Sequence, residues 1–141
     1  MKQWFLDTNV VVDFLANRQP FVQEAEVLFR LAYARRVQLY VASLSFSHMF
    51  YLLRRTHGAE VTRQLLTDLL PIVQVLSVDA STVQQALAAG FPDFEDALQY
   101  FAATAVPSIT AIVTRDPKGF RASALPILTP AEAVAQAIAD S

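Results

Sequence analysis

Trp4-Phe5-Leu6-Asp7-Thr8-Asn9-Val10-Val11-Val12 sets a single carboxylate between two apolar runs. An apolar run that stops at an acid reads as a buried strand whose last residue reaches the rim of a sheet. The pattern returns as Ala111-Ile112-Val113-Thr114-Arg115-Asp116, and between the two Phe94-Glu95-Asp96-Ala97-Leu98 opens an apolar helix with acids. In an open α/β sheet, strand carboxyl ends and helix amino ends share the edge where ligands bind. Asp7, Asp96 and Asp116 are therefore expected to converge. Gathered carboxylates repel one another unless a cation lies among them, and all-oxygen ligation suits magnesium or manganese. The pattern predicts a metal-dependent enzyme.

Outward from these strings, strands are expected at 2–6, 37–41, 72–76, 110–114 and, as a short fifth, 127–128. Helices are expected at 10–16, 20–35, 44–56, 59–70, from Asp79 or Ser81 to Gly90, at 94–105, and from Thr129-Pro130 to the end. Pro20 and Pro130 suit first helical turns, Ser43 or Ser45 and Asp93 suit caps, and Gly58, Pro71, Pro92 and Pro107 act as breakers. Strands alternating with helices imply a three-layer α/β/α sandwich with a central, mostly parallel sheet of four to five strands. Residues 1–141 are expected to form a single domain, since no repeat or Gly/Ser linker divides them.

The chain is 54% hydrophobic with no cysteine, which permits a substantial core and removes disulfides, thiolate metal sites and cysteine nucleophiles. No apolar stretch is long enough to cross a bilayer, and no cleavable leader pattern precedes Asp7, so a cytoplasmic location is expected. A mean hydropathy of +0.34 suggests apolar surface covered by a second copy or a partner. The run Met49-Phe50-Tyr51-Leu52-Leu53 is one candidate for such a face, unless flanking helices bury it. A net charge of −2 argues against nucleic-acid binding through the overall field, so any such binding must be local. Arg115 and Lys118, beside Asp116, are the candidate phosphate contacts.

Each acid also has a plain structural reading. Asp7 can cap the helix that follows, Asp93 is well placed as an N-cap, Asp96 suits a helix dipole and Asp116 before Pro117 suits a turn. Their shared position at one sheet edge favours the functional reading. Glu95 is expected to point elsewhere and be solvated, and Asp13 to be solvated or locally paired.

Phe5-Leu6-Asp7-Thr8-Asn9-Val10 with Asp13-Phe14-Leu15, Asp93-Phe94-Glu95-Asp96-Ala97-Leu98-Gln99, and Thr114-Arg115-Asp116 with Phe120 together resemble a PIN domain from residue 2 to about 133. Asn17-Arg18-Gln19-Pro20-Phe21 resembles a PIN subgroup with an Asn-Arg-x-Pro-Phe segment. The resemblance implies a Mg2+- or Mn2+-dependent ribonuclease of the kind that includes VapC toxins of VapBC toxin–antitoxin pairs. Partners would be an RNA substrate and an antitoxin whose acidic or Arg-bearing tail reaches the metal site, with a homodimer as the expected state. Asp7 matches the family's first acid, Asp96 the third and Asp116 the fourth. At the second, normally Glu, stands His48. It is either a neutral-nitrogen ligand or a core residue, and Asp93 can supply a carboxylate one turn before Asp96. Thr8, Asn9 and Thr114 are expected to orient ligands or water. The implied chemistry is in-line displacement at phosphorus assisted by one or two divalent ions, leaving a 5′-phosphate and a 3′-hydroxyl.

Two rival readings remain at this point. A degenerate PIN domain that binds RNA or protein without cutting is favoured by His48. A haloacid-dehalogenase-like phosphatase needs a second Asp two positions after the first, where this chain has Asn9.

Overall fold

In the computed structural model, which describes residues 1–140, the chain runs β1 (Lys2–Leu6), α1 (Thr8–Leu15), α2 (Val22–Tyr33), β2 (Val37–Ala42), α3 (Ser43–His57), α4 (Ala59–Leu69), β3 (Val73–Leu76), α5 (Ala80–Ala89), α6 (Phe94–Thr104), β4 (Ala111–Val113), a 3-10 turn η1 (Pro117–Phe120), β5 (Ile127–Leu128) and α7 (Pro130–Ala139). The five strands form one parallel sheet in the order β3-β2-β1-β4-β5. β1 lies at the centre, with Trp4 beside Leu39 on one side and Ala111 on the other. Strand order reverses between β1 and β4, and such a switch point opens a crevice at the carboxyl edge.

The period of two along β1 divides the core. Trp4 and Leu6 pack in the larger cluster with Val10, Leu28, Met49, Leu66 and Ala133, so α1, α2, α3, α4 and α7 cover that face. Phe5 and Ile112 point to the opposite face, where Tyr100, Ala103 and Phe120 cover them from α6 and η1, and α5 packs outside α6. All three β1 residues are buried because both faces of a parallel sheet are covered. This is the three-layer α/β/α arrangement expected from the sequence.

Three local differences have physical causes. α1 starts at Thr8, two residues earlier than expected; Asp7 occupies its N-cap position with extended backbone, yet its side chain makes no capping bond. η1 is an element without a counterpart in the sequence reading: Pro117 opens it with φ already fixed, and buried Phe120 anchors it. In α3, Met49 and Leu53 are buried and Phe50 and Leu52 pack against the core, which leaves only Tyr51 of that run exposed, with the Arg54 guanidinium 5.2 Å from its ring centroid. No helix among the described residues is long and apolar enough to cross a membrane.

Candidate functional site

The end of β1 is tied to the end of β4 by a hydrogen bond from the Asp7 N–H to the Val113 carbonyl at 2.9 Å. That bond fixes where the Asp7 carboxylate stands. Gln99 Nε2 donates to its Oδ1 at 3.1 Å and the Thr114 hydroxyl to its Oδ2 at 2.7 Å. The same Thr114 oxygen accepts the Asp116 N–H at 3.0 Å, so one hydroxyl positions both acids. On the other side, Gln99 Oε1 accepts the Thr8 N–H at 3.2 Å, and the Thr8 and Ser45 hydroxyls lie 2.6 Å apart. β1, α6, the segment after β4 and the first turn of α3 are thereby joined by one buried polar network. Burial raises the Asp7 pKa; the Thr114 and Gln99 hydrogen bonds oppose that rise.

α6 begins where Asp93 Oδ1 accepts the Asp96 N–H at 3.0 Å, so Asp93 is the helix cap. Asp96 then projects towards Gly119: a Cβ there would stand 2.6 Å from Asp96 Oδ2 and 3.6 Å from Asp116 Oδ2, so a larger residue would displace the Asp96 carboxylate. Both carboxylates thus reach one space above the η1 backbone, and neither oxygen pair accepts a hydrogen bond among the described residues. Asp7, Asp93, Asp96 and Asp116 line a single open cleft of about 460 Å³ at the switch point, together with Asn9, Arg18, His48 and Glu95. Among the described residues, hollows at the opposite, amino edge of the sheet lack such a cluster; the one acid that lines them, Asp140, is paired with Lys2 at 2.9 Å.

The cleft is short of positive charge. Burial, followed by repulsion from Asp7, Asp93, Asp116 and Glu95, pushes the Asp96 pKa up to about 7. An acid with a folded pKa above its unfolded value near 3.8 binds its proton more tightly when folded, so stability falls as pH rises between those two values. Little of this penalty acts near pH 4, and all of it acts above about pH 7. Asp96→Asn removes the charge but also a favourable interaction with the amino end of α6. For a carboxyl that solvent still reaches, the net gain for metal-free protein at pH 8 is expected to be about 1–2 kcal/mol, or ~3–6 °C in Tm. A smaller gain is expected at pH 5. Thermal unfolding in chelator at the two pH values measures this; equal shifts would count against a strained Asp96.

The donor set suits a hard divalent cation. It offers carboxylate oxygens whose charge Arg18 only partly offsets, and the buried Asn9 Oδ1 at the same cleft has no hydrogen-bond partner among the described residues. Among the described residues no three acidic or imidazole groups stand close enough together to hold an ion as the side chains are placed. Asp96 and Asp116 carry no hydrogen bonds that would resist rotation towards Asp7.

Several residues differ from expectation. Glu95 is not turned away: it lines the cleft, with Oε1 3.0 Å from His48 Nδ1. His48 is exposed, so it is not a core residue. Asp13 is 1% exposed, and its partner is distant in sequence: Arg115 donates through Nε at 2.5 Å and Nη2 at 3.2 Å, while Arg18 Nη1 stands 3.8 Å away. Arg115 is therefore committed to Asp13 and does not extend as a free phosphate contact. Lys118 is exposed on η1, and Arg18 is the cation that lines the cleft. Gln99 is a site residue that sequence reasoning misses. The available signal is its spacing of three from Asp96, which places both on one face of α6.

No curated protein matches the chain by sequence. Solved structures with the same fold include DNA-bound VapBC from Salmonella typhimurium, with 18% identity over 92% of this chain and 99% of that one and a TM-score of 0.69. VapC20 of Mycobacterium tuberculosis, a sarcin-ricin loop cleaving toxin, matches with 19% identity over 84% and 94% and a TM-score of 0.64. VapBC2 from Rickettsia felis bound to a promoter DNA fragment matches with 16% identity over 90% and 98% and a TM-score of 0.65. At these identities the likeness speaks for the fold. The family model described as PIN domain matches residues 3–118, most of the chain, and the chain therefore belongs to the PIN domain family.

Proposed function

We propose that this PIN domain is a divalent-metal-dependent ribonuclease acting as the toxin of a VapBC-type pair. The observation that carries the reading is the convergence of Asp7, Asp96 and Asp116, from three separate elements, on one cleft whose carboxylates outnumber its single guanidinium, that of Arg18. These three would hold Mg2+ or Mn2+, with Asn9 and Thr114 orienting from behind. A bound ion would supply charge neutralisation at the phosphate and a lowered pKa for the attacking water. The chain's own part is positional. Gln99 and Thr114 fix the Asp7 carboxylate, Thr114 also fixes the backbone at Asp116, and Arg18 offers the cleft a guanidinium for an RNA phosphate. Likeness to VapBC structures supports an antitoxin as the physiological partner.

The reading is tested by incubating the purified protein with RNA and Mn2+ or Mg2+. Cleavage that leaves 5′-phosphate ends and stops on chelation is expected; cleavage indifferent to chelator would overturn metal dependence. The second reading, a binding module without catalysis, is favoured by the imidazole at position 48 where the family carries Glu. RNA retained without cleavage at millimolar Mn2+ would establish it instead.

A further inference from the structure

We propose that Glu95 replaces the acid missing from position 48 and supplies the fourth carboxylate of the cleft, with His48 as the residue that positions it; this deepens the metal-dependent reading above and rests on it. The starting point is what α3 offers at this place. His48 carries no negative charge, and its Nδ1 lies 3.0 Å from Glu95 Oε1, across the mouth of the cleft. An imidazole protonated at Nδ1 donates to that oxygen and leaves Oε2 free, because a carboxylate accepts through both oxygens. No second hydrogen bond engages Glu95 among the described residues. Its charge already bears on the two acids beside it, Asp7 and Asp96. Glu95 sits in the first turn of α6, where the helix amino end favours an anion, and its extra methylene gives it reach that an aspartate there would lack.

Two alternatives are separated by substitution. His48 could ligate only through Nε2, since Nδ1 faces Glu95, and a glutamine at 48 keeps a donor for Glu95 without an imidazole. Asp93, like Glu95, has one oxygen engaged and one free, but as the cap it is tied to the Asp96 N–H at the start of α6. Both partners of the His48–Glu95 contact are partly exposed, at 45% and 38%, so the pair adds little to folding and its consequence lies in where it holds the carboxylate. Across the cleft, the charge lost from α3 is thereby restored from α6.

The experiment is Mn2+ titration of the full chain, followed by calorimetry or by the electron-spin signal of free Mn2+, with thermal unfolding as the check that each variant is folded. Glu95→Gln is expected to weaken Mn2+ binding about tenfold or more, and Asp93→Asn, which keeps the cap, by clearly less. His48→Leu is expected to weaken binding as well, and His48→Gln, which retains an N–H donor, to recover most of the loss. Unchanged binding in Glu95→Gln, a larger loss in Asp93→Asn, or unchanged binding in His48→Leu each overturns the proposal. If the unaltered protein binds Mn2+ and loses it in Asp96→Asn but not in Glu95→Gln, only this proposal fails. If the unaltered protein binds no Mn2+, the metal-dependent reading fails with it.

Discussion

Arg115→Ala is expected to lower the unfolding free energy by about 3–5 kcal/mol, the cost of leaving a buried charge without its partner. Asp13 lies between Val12 and Phe14 on α1 and is 1% exposed, so water entering where the Arg115 side chain stood replaces only part of the two hydrogen bonds that Arg115 makes to it. Arg18 Nη1, at 3.8 Å, is beyond hydrogen-bond distance and would compensate only in part. The substitution also removes the guanidinium stacked 4.0 Å from the Phe21 ring centroid, which pins the start of α2 to the segment after β4. Urea unfolding measures the loss, and a change below about 1 kcal/mol would show that the pair contributes little. The double variant Asp13→Leu with Arg115→Met should recover much of the stability, because a buried pair replaced by apolar groups is often neutral. Since Arg115 precedes Asp116, the single variant should also loosen the cleft.

The layers are legible in the sequence because burial on both faces leaves a simple trace. Runs such as Trp4-Phe5-Leu6 and Ala111-Ile112-Val113 have no solvent-facing position to fill with polar residues, and the breakers between them mark helix ends. The acids at the strand ends are legible for the same reason: topology alone sends them to one edge. Partnerships across the fold are not. Asp13 and Arg115 are 102 positions apart, and nothing at either place announces the other. Gln99 is a neutral amide on a helix, and its importance follows only from standing opposite Asp7. Glu95 departs from its expected place because the face that a first-turn residue presents depends on how the helix docks. The start of α1 departs because Asp7 has the backbone of a cap while Gln99 and Thr114 hold its carboxylate elsewhere.

Asp7→Asn is expected to reduce metal-dependent RNA cleavage by at least about 10²–10³-fold while leaving Tm unchanged or slightly raised. The two effects separate because the carboxylate is costly to the fold. Its burial opposes ionisation, so removing the charge removes a penalty. Against that stands the polar network. Gln99 Oε1 is committed to Thr8, which leaves Gln99 Nε2 as a donor that the side-chain oxygen of the introduced asparagine can still satisfy. Thr114 is the strained partner: its oxygen already accepts the Asp116 N–H, and the introduced amide would direct a second donor at it in place of an acceptor. That mismatch costs about 1 kcal/mol, comparable to what the lost charge returns. Cleavage has no such compensation, since an amide brings no charge to the cleft and ligates a hard cation weakly. Cleavage assays and thermal unfolding of the same preparation measure both sides. Activity retained in a folded Asp7→Asn protein would remove Asp7 from the site, and lost activity with a Tm lowered by more than about 6 °C would make its role structural.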